Sequence, residues 1–144
     1  MHYGYKNHVK MDKKSKIITR YRVTSAEVHD SQELKNLVEK KKDKRLYGDS
    51  AYTGEEVQKC IPKQVSNRIH EKGYRNRPLT GTQERNNTAK SRIRSRVEHV
   101  FAAMSHFGGI TIRTIGIARA ELQIGLLNLA YNLTRYAYIM GAKA

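Results

Sequence analysis

The chain reads as an α/β fold, and three observations predict it. Residues 3–11 alternate apolar and polar with period two, and a β-branched, aromatic run follows at 17–23. A third short run, 45–48, comes after an intervening helical segment and ends at an acid, Asp49. Two long stretches of helical periodicity then occupy the C-terminal part. The order is strand, strand, helix, strand, helix, basic insert, helix, helix. That is an antiparallel hairpin followed by a crossover to a third strand, with helices closing the chain.

The first strand puts Tyr3, Tyr5, Asn7, Val9 and Met11 on one side and Gly4, Lys6, His8 and Lys10 on the other. The second face is therefore expected to be basic and exposed. Asp12-Lys13-Lys14-Ser15 is a polar turn, and 17–23 returns antiparallel with Arg20 and Arg22 sharing a face. Asp30 or Ser31 is expected to cap a helix carrying Leu34, Leu37 and Val38 at i, i+3 and i+4. After the strand at 45–48, Thr53-Gly54-Glu55-Glu56 has the pattern of a capping box, with Thr53 as N-cap and Glu56 at N3. The helix it opens, about seven residues long, must stop before Pro62. Residues 63–88 are rich in Lys, Arg and Asn and read as a basic loop with a short strand near 65–69. Gly108-Gly109 is expected to end the next helix, and 110–113 to be briefly extended. A last helix over 118–140 is expected to turn Leu122, Leu126, Leu129, Leu133 and Ile139 inward.

The 144 residues amount to one domain, 1–144, with the basic irregular insert at about 60–88. Lys and Arg number 28 against 13 Asp and Glu, a net charge of +15. A folded chain that basic is expected to meet a polyanion, nucleic acid first. The charge is spread through segments that also carry periodic apolar residues, so it belongs to the face of a folded domain. The single cysteine, Cys60, excludes an internal disulfide and a cysteine-based zinc cluster, and it fits a reducing cytoplasm. No signal peptide opens the chain. Its most apolar stretch, 115–140, is broken by Arg119, Glu121, Gln123, Asn128, Asn132 and Arg135 and does not read as a membrane span. The chain enters a strand almost at Met1, as a truncated reading frame or the tail of a longer protein would.

Two acids carry the chemistry. Asp49 stands where a strand gives way to a loop and helix, with Gly48 before it allowing close approach to the backbone. Asp after Gly is also an ordinary turn residue. Glu98 lies on the helix whose apolar face is Ile93, Val97, Val100, Phe101 and Met104, with Arg92, Arg94 and Arg96 just before it and Arg94 one turn earlier. Taken alone, that helix is a basic amphipathic helix with an internal ion pair. Taken with Asp49, the two carboxylates suit Mg²⁺ or Mn²⁺ beside phosphate. A two-metal site, with ions about 3.5–4 Å apart, normally takes more acids. Asp12 and Asp30 sit at a turn and a probable cap. His8, His29, His99 and His106 match no zinc spacing, and Tyr47 and Tyr52, which flank Asp49, are read as packing.

Gly48-Asp49-Ser50-Ala51-Tyr52-Thr53-Gly54 resembles the second-aspartate motif of DDE transposases of the IS4/IS5-like insertion-sequence grouping. Arg94-Ser95-Arg96-Val97-Glu98-His99-Val100-Phe101 resembles their glutamate helix. Tyr3-Gly4-Tyr5-Lys6-Asn7-His8 and Val23-Thr24-Ser25-Ala26-Glu27-Val28-His29-Asp30-Ser31 resemble the hairpin and loop between their first two acids. Asn128-Leu129-Ala130-Tyr131-Asn132-Leu133 resembles their closing helix. The resemblance covers nearly the whole chain. It implies an RNase H-like fold, here incomplete at its N-terminus, and Mg²⁺- or Mn²⁺-dependent DNA cleavage and strand transfer in DNA transposition.

On that resemblance Asp49 and Glu98 are metal ligands and Arg94 orients Glu98 or contacts phosphate. Lys6, Arg75, Arg77, Lys90, Arg92 and Arg96 are the expected DNA contacts, at transposon ends. The sequence departs from the family pattern in three places. The family's first aspartate precedes the hairpin, where this chain has only Met1 and His2, and Ser91 and Ser105 stand where the glutamate signature has Tyr and Lys. The chain alone is therefore expected to perform little strand transfer. The rival readings are a non-catalytic DNA-binding remnant that regulates or pairs with full-length transposase, a homo-oligomer of such chains included, and a basic RNA-binding protein. The last explains the charge but neither Asp49 nor Glu98. A bacterial, nucleoid-associated place in the cytoplasm fits the first two.

Overall fold

The computed structural model describes residues 4–107, 112 and 115–141. The strands are β1 (Tyr5–Met11), β2 (Ile18–Ser25), β3 (Arg45–Leu46) and β4 (Ser66–Asn67). The helices are α1 (Leu34–Leu37), α2 (Glu55–Cys60), α3 (Gly81–Ser105) and α4 (Ile117–Ile139). The architecture is thus mixed α/β with small sheets. The chain forms two compact units, a first made of Met1–His29 with Arg96–Ala144, and a second made of Asp30–Ser95. Tyr3, Gly108-Gly109 and most of 110–113, for which a strand start, a helix stop and an extended piece were expected, lie outside the described residues.

In the first unit β1 and β2 pair antiparallel, Tyr5 opposite Ser25 and Val9 opposite Tyr21, with the register slipping between Lys10 and Met11. The turn between them is built on Asp12. Its Oδ2 accepts from Lys14 N at 2.9 Å, Ser15 N at 2.7 Å and Ser15 Oγ at 2.9 Å. Lys16 takes a left-handed φ of 59° to close it. The Ser15 amide, opposed by partial burial, holds the Asp12 carboxyl below the usual carboxylate range.

The basic face of the hairpin is only partly as expected. Lys10 lies opposite Arg20 and His8 opposite Arg22. His8, however, is buried, with Nε2 2.8 Å from Thr24 Oγ1. An imidazole can be covered once a neighbouring hydroxyl satisfies it.

The core of this unit joins Ile18, Val100, Met104 and Tyr131, with Val9, Met11, Phe101, Ala103 and Leu127 against them. A second cluster joins Val23, Ala120 and Ile124, with Tyr5 and Ile112. The apolar stripe of α3 is as the period predicted, since Val100 and Met104 are fully buried.

The inward face of α4 is not the expected one. Leu122, Leu126, Leu129, Leu133 and Ile139 are exposed, four of them by more than half, and the buried positions are Ala120, Ile124, Asn128 and Tyr131. A helix apolar on two sides has no single stripe, so periodicity cannot say which side faces in. Here the polar side chains choose. Asn132 Oδ1 accepts from Ile18 N and its Nδ2 donates to Ile18 O, both at 2.9 Å. Asn128 and Asn7 exchange amide bonds at 2.8 and 3.3 Å. Tyr131 Oη donates to Lys16 O at 2.8 Å, and Arg135 Nε to Ser15 O at 2.7 Å.

In the second unit a 3₁₀ turn, Asp30–Glu33, takes the place of the expected side-chain cap, and α1 is a single turn that buries Leu34 and Leu37. Helix α2 is capped by Gly54 rather than Thr53. The Thr53 hydroxyl donates instead to Ser50 O at 2.7 Å, so the capping box does not form. The helix does end at Cys60, ahead of Pro62.

Strands β3 and β4 pair parallel. Their bonds continue past the two-residue strands: Ser66 N to Lys44 O, Arg68 N to Leu46 O and His70 N to Gly48 O, at 2.9, 2.8 and 3.0 Å. Helix α3 begins at Gly81, inside the stretch expected to be irregular. A capping box starts it, in which Gln83 N donates to Thr80 Oγ1 and Thr80 N to Gln83 Oε1. That Thr80-x-x-Gln83 signal is present in the sequence after Pro78. Among the described residues no helix is long and apolar enough to cross a membrane.

Candidate functional site

Asp49 follows directly on the last bond of the parallel ladder. Its backbone is extended at ψ 178°, and it caps the 3₁₀ turn Ser50–Tyr52, with Oδ1 accepting from Ala51 N at 2.9 Å. That bond uses one of the two carboxylate oxygens and fixes the direction of the other. Gly48 sits in a tight spot. A Cβ there would meet Tyr52 Cδ2 at 3.3 Å and Ile69 Cγ1 at 3.4 Å. Tyr52 is half-buried beside this turn. Burial, then the charges of Asp30 and Asp49, push its hydroxyl up to about 12, so it stays neutral. Its place against Gly48 is packing, as expected from sequence.

The turn is held from behind by His70 and Asn87, which the sequence did not single out, and by Lys90 and Ser91, which it marked as a DNA contact and as a departure from the family pattern. His70 Nδ1 lies 2.9 Å from Gly48 O, and His70 Nε2 lies 2.9 Å from Ser91 Oγ and 3.1 Å from Asn87 O on α3. Asn87 grips the Glu71 backbone with both ends of its amide, at 2.9 Å each. Lys90 Nζ donates to Ile69 O at 2.9 Å and to Glu71 Oε1 at 3.3 Å. Polar side chains at 87, 90 and 91 share one face of a helix. A polar face of that kind inside a basic stretch is the signal that was available.

Glu98 lies on the part of α3 that belongs to the first unit, exposed, two residues before fully buried Val100. Arg94 is half-buried and precedes it by four residues on the same helix. Asp49 and Arg94 belong to the second unit and Glu98 to the first. No group of three or more His, Cys, Asp or Glu able to hold a metal ion occurs among the described residues.

The expected DNA contacts divide into two kinds. Arg75, Arg77 and Arg92 are exposed, the first two in a tight turn where Tyr74 and Arg77 exchange backbone bonds at 3.0 Å. Lys6, Lys90 and Arg96 already serve the fold: Lys6 Nζ donates to Val28 O at 2.9 Å and Arg96 to Lys13 O at 2.6 Å, beside the Lys90 bonds.

A transposase DDE domain family model matches residues 1–133. The chain belongs to the DDE transposase domain family. This transposase domain is also similar, at 29% identity, to the transposase for insertion sequence element IS1106 of Neisseria meningitidis serogroup B. The match covers 98% of this chain and 50% of that protein, so the domain spans about half the length of the relative. No solved structure matches it.

Proposed function

We propose that this transposase domain supplies Asp49 and Glu98 to a metal-dependent centre for DNA cleavage and strand transfer, on an RNase H-like fold. The observation that carries the reading is Asp49, set just beyond the carboxyl end of a parallel ladder, where open α/β sheets bind ligands. Carboxylate oxygens are the donors that Mg²⁺ and Mn²⁺ take, and Asp49 offers an oxygen beyond its bond to Ala51. Such an ion, when bound, supplies Lewis-acid polarisation of the phosphodiester and activates the attacking water. Asp49 and Glu98 hold it, and Arg94 orients Glu98 or contacts phosphate.

Arg75, Arg77 and Arg92, with Lys6, Lys90 and Arg96, bind the phosphates of transposon-end DNA. The net charge of +15 supports that role. Two acids are one short of a two-metal set. Strand transfer therefore needs a further carboxylate supplied to the assembled transposase, and the purified chain is expected to cleave poorly.

A second reading is a DNA-binding regulator that pairs with itself or with full-length transposase at the nucleoid. It is favoured by the net charge of +15, which suits binding of a polyanion whether or not a metal is held. Calorimetric titration of the chain with Mn²⁺ and Mg²⁺, beside Asp49→Ala and Glu98→Ala, separates the two. Binding weakened by both substitutions supports the metal centre. Binding indifferent to both, with salt-dependent DNA affinity retained, supports the regulator. Robust Mg²⁺-dependent cleavage of end DNA by the chain alone overturns the need for a further acid.

A further inference from the structure

Within the second unit the hydrogen bonds behind Asp49 form a continuous path. It starts on α3 at Ser91, crosses the His70 ring and ends on the Gly48 carbonyl. That carbonyl can only accept, so Nδ1 donates to it, while Nε2 faces the Ser91 hydroxyl at 2.9 Å and the Asn87 carbonyl at 3.1 Å. The same carbonyl oxygen accepts from the His70 backbone N–H at 3.0 Å. One residue thus occupies both lone pairs of Gly48 O.

The carbonyl belongs to the peptide plane that joins Gly48 to Asp49. Two donors fix the orientation of that plane and of the Asp49 N–Cα bond within it, and the Asp49 φ of −81° then sets where the side chain leaves the backbone. Ala51 N then fixes the carboxylate itself. Asn87 and Lys90 hold the backbone of Ile69 and Glu71, the residues on either side of His70, against the same helix.

We propose that His70 is a positioning residue for the Asp49 carboxylate, locking the Gly48–Asp49 peptide plane to α3 at Ser91 and Asn87. The functional weight of this device rests on the reading of Asp49 as a metal ligand, but the device can be tested without metal. The Ala51 amide donates to Asp49 Oδ1, so its hydrogen exchange reports the Asp49 rotamer. The Arg68 amide, in the ladder to Leu46 O, reports the general integrity of the unit.

The experiment is amide exchange by NMR on the full chain and on His70→Ala, His70→Asn and Ser91→Ala. In His70→Ala the Ala51 amide is expected to exchange about tenfold faster relative to Arg68, the loss of roughly one hydrogen bond. His70→Asn, whose amide can still donate to Gly48 O, restores most of the protection. Ser91→Ala gives a smaller rise, and it decides the matter if His70→Ala does not fold. Equal acceleration at Ala51 and Arg68, or an asparagine variant no better than alanine, overturns the proposal.

Mn²⁺ titration of the same proteins tells the two readings apart. A selective change at Ala51 in His70→Ala, beside a wild-type chain that binds no Mn²⁺, sinks the metal reading and leaves the positioning one standing. Mn²⁺ binding that needs Asp49 but is unchanged in His70→Ala, with Ala51 unmoved, does the reverse.

Discussion

The two units combine an apolar core with side-chain clamps in different places. In the first, fully buried Val100 and Met104 seat the hairpin and α4 on a shared apolar core. In the second, Leu34, Leu37, Val57, Val65 and Ile69 are buried, and side chains of α3 bond the backbone directly. An apolar core holds distances but sets little direction, because dispersion contacts are many and non-directional. A polar clamp sets direction as well, because each bond has one and a buried group left unsatisfied is expensive. Both units carry such clamps, Asn132 on Ile18 in the first and Asn87 on Glu71 in the second, and the second steadies the strand end that bears Asp49.

The largest effect is expected from the core of the first unit. Met104→Ala should cost about 2–5 kcal/mol, read as a shift in urea midpoint, because it empties a fully buried site. A loss near zero would mean that the first unit does not depend on this core. Asn132→Ala should cost about 1–3 kcal/mol, since it strands both Ile18 N and Ile18 O. In the second unit Asn87→Ala should cost about 1–2 kcal/mol and speed exchange of the Glu71 amide while leaving that of the Ile18 amide unmoved. Coupled losses at both would erase the contrast between the units.

A smaller effect is expected from pH. The folded state holds the Asp12 carboxyl below its usual range. Its contribution is therefore complete above the ordinary carboxylate value, about 3.9, and is lost as pH falls through the depressed one. Asp12→Asn should flatten that part of the acid limb of the stability curve. The smallest effect is expected on the outer face of α4. Leu129→Gln should change stability by no more than about 0.5 kcal/mol, although a leucine is lost, because that side chain is 53% exposed.

The same contrast explains what could be read from the amino-acid sequence. Alternation in β1 and β2 and the stripe from Ile93 to Met104 on α3 were legible, because burying apolar residues imposes a period. The strand end at Gly48-Asp49 was legible from its punctuation. The inward face of α4 was not, because its leucines outnumber the asparagines that bond the hairpin. Nor was the clamp at His70. A histidine that bonds a carbonyl 22 positions away has no spacing signature. The start of α3 was missed for a plainer reason, since basic and polar composition hid the Thr80 capping box.

The leucine face of α4 sets two forces against each other in solution. Like charge, +15 in all, pushes copies of the chain apart, while a ribbon of exposed leucines draws them together. Added salt weakens the first and leaves the second intact or, with sulfate, strengthens it. Raising ionic strength should therefore loosen the protein's hold on a polyanion and thicken its own suspension. A buffer chosen to strip nucleic acid from the preparation is then the buffer in which light scattering will climb.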